Sequence, residues 1–188
     1  MIDDLCDRAA GKDIAVVGLY CDFFAQQEQS TTNMLGAILK QLVGREGVPG
    51  HIREAFQKSK KEFGGRRLRL PDMVEVLKKT VTSLQRIFVC IDALDESTPK
   101  HRQELLKSLR EIVGISPNMR ILLTGRPHIG DEITEFLSRA VRIPVSPTQH
   151  DIKSYLEMRL GGDTAPEAMD DELRAGIMKA IPEKTSEM

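Results

Sequence analysis

Tryptophan is absent from the chain, and two Tyr with six Phe bring the aromatic share to only 4%. Aliphatic side chains must therefore build most of any core. Charge of one sign is not in excess either. The 27 Lys and Arg face 28 Asp and Glu, a formal net charge of -1. No global field would draw such a chain to nucleic acid or to an anionic membrane. Cysteine is sparse: Cys6, Cys21 and Cys90 are widely and unevenly spaced, with no CxxC pair. Two of them sit in apolar runs, as small buried hydrophobes of a reducing compartment do. The four His are scattered, and no spacing suggests a metal site. No apolar run approaches the roughly 18 residues of a membrane span. The N-terminus lacks the charged-then-apolar layout of a signal peptide. The expectation is a cytoplasmic protein with no membrane and no nucleic-acid partner.

The 188 residues are 40% hydrophobic and 29% charged, enough for one domain and part of a second. Residues 2 to 10 read as the end of a helix stopped by Gly11. Ile14 to Phe24, IAVVGLYCDFF, is β-branched and apolar and reads as a buried strand. Ser30, Thr31 and Thr32 offer N-caps to a helix over about 33 to 43, with Met34, Leu35, Ile38, Leu39 and Leu42 at helical spacing. A second helix runs from Pro49 to about residue 62 and ends at Gly64-Gly65. A third opens at Pro71 and carries Met73, Val74, Leu77 and Val81.

RIFVCIDALDE follows at 86 to 96: a strand over 86 to 91, then Asp92, Asp95 and Glu96 crowded at its end. Pro99 or Lys100 begins a helix with Leu105, Leu106, Leu109 and Ile112, stopping near Gly114. RILLT at 120 to 124 reads as another buried strand, ended by Pro127, with a helix through Ile133 and Leu137 beyond it. VRIPV at 141 to 145 reads as a weaker strand, since Pro144 removes a ladder donor. From Thr148 the pattern is helical, with a break at Gly161-Gly162 and Leu173, Ile177 and Ile181 as the last apolar positions.

Strands apolar on both faces and separated by helices make an α/β fold with a mostly parallel sheet flanked by helices. Ligands of such sheets bind beyond the carboxyl ends of the strands. Asp22, Asp92, Asp95, Glu96, Thr124 and Arg126 all fall there. A carboxylate at that place suits Mg²⁺, which prefers oxygen ligands and keeps its water. A second acid can orient or deprotonate an attacking water. A polar residue and an Arg on the neighbouring strand can sense a γ-phosphate. The competing reading makes Asp92 or Asp95 a helix cap, and Asp95 and Glu96 a solvated turn.

The segment Ile91-Asp92-Ala93-Leu94-Asp95-Glu96 resembles the Walker B motif of NACHT-type modules in the STAND class of P-loop NTPases, with Ala93 as the small residue after the metal aspartate. RILLTGRP resembles their sensor 1 strand, VVGLYCDFF the preceding strand, and IPVSPTQHDIKSYLEMRL the last core strand with the helix into a helical lid. The likeness is to the NACHT domains of large fungal proteins with ankyrin or WD repeats. By position it implies Asp92 for Mg²⁺, Asp95 and Glu96 as catalytic or water-positioning acids, and Thr124 with Arg126 as sensor. It also implies Mg²⁺ with ATP or GTP as ligands, a NACHT core over 1–147, and the start of a lid over 148–188.

A working site of this kind also needs GxxxxGK(S/T) for its phosphates. The only Gly-Lys pair is Gly11-Lys12, followed by Asp13, with Cys6 where the first Gly belongs. The resemblance makes residues 2 to 10 the tail of the helix that this loop would open. The expectation is thus a P-loop NTPase-type sheet lacking its first strand and phosphate loop, a remnant of a nucleotide-dependent switch with negligible ATP or GTP binding alone. Strand edges left open would favour self-association or a protein partner. The rival reading is an interaction or scaffold fragment with no nucleotide function. A nucleic-acid reading rests on KSKKEFGGRRLRL at 58 to 70, with six basic residues but only Phe63 to stack on a base, so a solvated helix end is favoured.

Overall fold

The computed structural model describes residues 5, 7, 14–44, 47–62, 68–162 and 170–185. Of the helix read over 2–10, only Leu5 and Asp7 are described, and both are helical. Cys6, Gly11-Lys12, Phe63, Gly64-Gly65, Arg66 and Arg67 lie outside the described residues. The chain divides into two compact units, Met1–Val141 and Arg142–Met188.

The first unit holds strands β1 (Ile14–Tyr20), β2 (Arg86–Asp92) and β3 (Met119–Leu123). Its helices are α1 (Thr31–Val43), α2 (Gly50–Glu62), α3 (Leu70–Thr82), α4 (Pro99–Ile115) and α5 (Gly130–Phe136). The strands form one parallel sheet in the order β1-β2-β3. This is an α/β arrangement of a parallel sheet flanked by helices. Register explains the core. Val17 pairs with Val89 and Leu19 with Ile91, while Val89 pairs with Ile121 and Ile91 with Leu123. All of these point to one face, because side chains alternate along a strand, and all belong to or pack on the core. Val89 is 0% and Ile91 1% exposed. Truncating such a side chain to Ala costs about 2–5 kcal/mol.

The helices bury the positions that the 3.6 period marks. Met34, Leu35, Ile38, Leu39 and Leu42 of α1 are buried, and Ser30 caps it by accepting from the Asn33 N–H at 3.3 Å. Pro71 opens α3, which buries Met73, Val74, Leu77 and Val81. In α4, Leu105, Leu106, Leu109 and Ile112 are buried behind the N-cap Thr98. Asp92 and Asp95 therefore do not cap this helix. Buried Arg102 ties α4 to α5 through Glu132, with Nε donating at 2.9 Å.

Three expectations are corrected. The strands are apolar on both faces, but only one face lies in the core. On the other, Val16 and Phe88 are half-buried and Leu122 is 36% exposed. The stretch 141–145 is not a strand. Val141, Ile143 and Val145 are exposed, and Pro144 offers no N–H with which to join a ladder. β1 is also shorter than read: it stops at Tyr20, and Asp22 caps a 3₁₀ turn over Phe23–Ala25.

β1 lies at one edge of the sheet, and two glutamines occupy its outward backbone groups. The Gln41 amide accepts from Gly18 N–H at 3.0 Å and donates to Gly18 C=O at 2.8 Å. The Gln29 amide accepts from Asp22 N–H at 3.1 Å and donates to Tyr20 C=O at 3.2 Å. Each imitates a neighbouring strand's peptide and blunts an edge that would otherwise template pairing. β3 is the other edge, and no described residue extends the sheet beyond it.

The second unit holds helices α6 (Gln149–Gly161) and α7 (Asp171–Thr185), which pack on each other. A capping box opens α6: Asp151 N–H donates to the Thr148 hydroxyl at 3.1 Å, and Thr148 N–H to the Asp151 carboxylate at 2.8 Å. Among the described residues, no helix is long and apolar enough to cross a membrane.

Candidate functional site

Parallel pairing of β2 with β3 puts their carboxyl ends side by side, and Thr124 joins them. Its N–H donates to Ile91 C=O at 2.9 Å, and its C=O accepts from Leu94 N–H at 2.9 Å. Its hydroxyl donates to Asp92 Oδ1 and accepts from Ala93 N–H at 3.0 Å. The residue after the sensor-like strand thus fixes both the carboxylate of Asp92 and the path of the chain leaving it.

That path needs an unusual backbone. Ala93 sits at φ 52, ψ 45, in the left-handed region, the one non-glycine residue of positive φ among those described. For an L-residue this costs about 1–2 kcal/mol. The turn leads into the 3₁₀ segment Leu94–Glu96, where Leu94 is fully buried and anchors the loop.

Asp95 then reaches across to β3. Its Oδ1 accepts from the Arg126 backbone N–H at 3.1 Å, and Arg126 Nε lies 3.3 Å from Oδ2. Glu96 Oε1 lies 3.4 Å from Arg126 Nη2. Gly125 allows this closeness. A Cβ there would meet Ile129 Cδ1 at 2.7 Å and Asp95 Oδ1 at 3.4 Å. The Asp95 side chain is 6% exposed, that of Glu96 27% and that of Arg126 71%. The buried acid is wholly engaged by one partner, whose far side faces solvent.

The end of β1 joins the same place. Cys21 N–H donates to Asp92 C=O at 3.0 Å. Burial pushes the Cys21 thiol up to about 11, and the Asp95, Asp92 and Glu96 carboxylates push in the same direction. Cys21 and Cys90 are both buried. Gln26 donates to Glu96 C=O at 2.6 Å, tying the loop after β1 to the loop after β2. The structure therefore brings Asp92, Asp95, Glu96, Thr124 and Arg126 together. Asp22 stands apart in role, since its carboxylate accepts from Phe24 N–H at 2.9 Å as a turn cap. Sequence reasoning passed over Gln26 and Gln29. The polar run QQEQS at 26–30 was a visible signal, but one that reads equally as loop.

Among the described residues, no group of three or more His, Cys, Asp or Glu is arranged to hold a metal. Asp92 Oδ1 takes the Thr124 hydroxyl, and among the described residues nothing engages its second carboxylate oxygen. One free carboxylate oxygen suits a Mg²⁺ that keeps several waters and shares phosphate oxygens; it does not make an all-protein cage.

The sequence model of the nephrocystin 3 N-terminal domain matches residues 1–126. The chain belongs to the nephrocystin 3 N-terminal family. The matched residues end at Arg126, so β1, β2, β3 and the whole acid–arginine network lie within the family's domain. No curated protein matches the chain. Among solved structures it is similar to a Walker-type ATPase of Pyrococcus abyssi, at 16% identity and a TM-score of 0.33. That alignment takes in 98% of this chain and 63% of the other, just under two thirds of its length.

Proposed function

We propose that this nephrocystin 3 N-terminal domain is a nucleotide-switch module of NACHT type whose strand-tip network is the metal and sensor half of a phosphate site. The supporting observation is the coupling of Asp92 to Thr124, and of Asp95 and Glu96 to Arg126, across adjacent strand ends. In this reading Asp92 holds Mg²⁺ through water. Glu96, the more exposed acid, positions an attacking water, while Asp95 holds the Arg126 loop in place. Thr124 and Arg126 register the terminal phosphate. Bound Mg²⁺ would neutralise phosphate charge.

The same residues argue for weak binding by this chain alone. The 188 residues hold no GxxxxGK(S/T), the pattern whose backbone N–H groups and Lys bind phosphates. Arg126 is already matched by two carboxylates, and Asp92 adds a third. Like charges facing a triphosphate repel it. The test is equilibrium titration of the 188-residue chain with a fluorescent ATP or GTP analogue and Mg²⁺. No saturation at micromolar concentration is expected. Micromolar affinity abolished by Asp92→Ala would overturn the inactivity while upholding the site.

A second reading, a protein-interaction module, is favoured by one observation. Tyr20, Phe23 and Phe24 at the end of β1 are 60%, 60% and 95% exposed, and β3 is an edge among the described residues. Sedimentation that shows a concentration-dependent dimer, lost on Phe24→Ser, would select it.

A further inference from the structure

Away from the strand tips, α1, α2, the start of α3 and Gly47-Val48 line an open cavity of about 780 Å³. That volume lies inside the range of small-molecule sites, roughly 300–1,000 Å³. Its floor is apolar: Leu39, Ile52 and Met73 line it and are 5%, 4% and 6% exposed. Its lips are apolar too, with Val48 47% and Phe56 49% exposed. Two bulky side chains left half in water at the mouth of an apolar hollow mean that a ligand can bury them further.

The charged residues described on the rim are all cationic. Lys40, Arg53 and Lys60 line the cavity, and no described lining residue is acidic. Arg53 uses one arm to hold the loop, with Nη2 donating to Val48 C=O at 3.1 Å. The two lysines sit on α1 and α2 and are exposed. Space is made by glycine. Gly36 of α1 lines the cavity, and a Cβ there would touch only Met73 Cε at 3.7 Å. Gly47 also lines it and takes φ 86, a backbone conformation that favours glycine.

We propose that this cavity binds a small aliphatic molecule bearing one carboxylate, such as a medium-chain fatty acid. The hydrocarbon fills the space between Leu39, Ile52 and Met73 and covers Phe56, and the carboxylate meets Lys40 or Lys60. A neutral chain would leave the lysines unanswered, and a cationic one would be repelled. The inference stands on α1, α2 and α3 alone and is independent of the strand-tip site.

The test is calorimetric titration of the 188-residue chain with dodecanoate below its micelle concentration, with dodecanol and dodecyltrimethylammonium as comparisons. Saturable one-site binding is expected, at least about tenfold tighter for dodecanoate than for dodecanol, since one charge-assisted hydrogen bond separates them. Gly36→Leu should abolish it by filling the floor. Lys40→Glu with Lys60→Glu should weaken it at least about tenfold, and these exposed substitutions serve where Gly36→Leu fails to fold by circular dichroism. Unsaturable uptake, equal affinity for dodecyltrimethylammonium, or full affinity in the double lysine variant would overturn the assignment. So would binding of an acidic amphipathic peptide without binding of dodecanoate.

Discussion

Asp95 receives Arg126 twice, from the backbone N–H at 3.1 Å and from the guanidinium Nε at 3.3 Å. The two residues are 31 positions apart, and the contact clamps the loop after β3 to the loop after β2. Its two ends differ in burial, and that sets an asymmetry. Asp95→Ala removes the buried acceptor of both contacts, hydrogen bonds to a charged group, and should destabilise the protein by about 1.5–3 kcal/mol. Arg126→Ala removes only a solvent-screened partner and should cost less than about 1 kcal/mol. Urea unfolding of the two variants measures both, and equal losses would show that the guanidinium, not the backbone contact, fixes the loop.

Ala93 holds a left-handed backbone with a Cβ in place. Ala93→Gly removes the steric cost and adds backbone entropy to the unfolded chain, so a net gain of about 0.5–1 kcal/mol is expected. Ala93→Val should lose more than about 1 kcal/mol, because a β-branched residue tolerates positive φ least. Thermal unfolding orders the three. A less stable Gly variant would mean that the turn is not strained.

Glu104 should give the fold a pH dependence on its acid side. The Thr31 hydroxyl, donating at 2.8 Å, and then His101 hold its carboxyl below the ordinary range. A depressed carboxylate stabilises the folded state above the unfolded pKa of about 4.3, and that stabilisation is lost as pH falls through the folded value. Thr31→Val removes the donor. The stability gap between wild type and Thr31→Val should therefore be larger near neutral pH than at about pH 3. Denaturant midpoints at the two pH values measure it, and a gap that does not change with pH would remove Glu104 from the explanation.

Much of this was legible in the chain. The period of α1, α3 and α4 named their buried positions, and Ser30 and Pro71 marked helix starts, because those signals are local. The apolar strands were legible for the same reason. Which face of the sheet is covered was not, since Val16 and Leu122 read as apolar as Val17 and Ile121. The strand at 141–145 failed because five apolar-rich residues cannot show whether a partner strand lies beside them. The pairing of the glutamines with Gly18 and Tyr20 was not legible either, since an amide's role as a false strand depends on a contact made 9 or 23 positions away. At the candidate site the residue types were readable, and their pairing was not. Nothing in RIFVCIDALDE says that Asp95, rather than Asp92, takes Arg126.

The proposed switch depends on Asp92, at the tip shared with Thr124 and Arg126, holding a divalent cation. Titration with Mn²⁺ while amide NMR signals are recorded tests it most directly, because the ion broadens only its neighbours. The expected result at millimolar Mn²⁺ is early loss of the Ala93, Leu94 and Gly125 signals, and their return in Asp92→Ala. Broadening elsewhere on the chain, or the same pattern in Asp92→Ala, would contradict it.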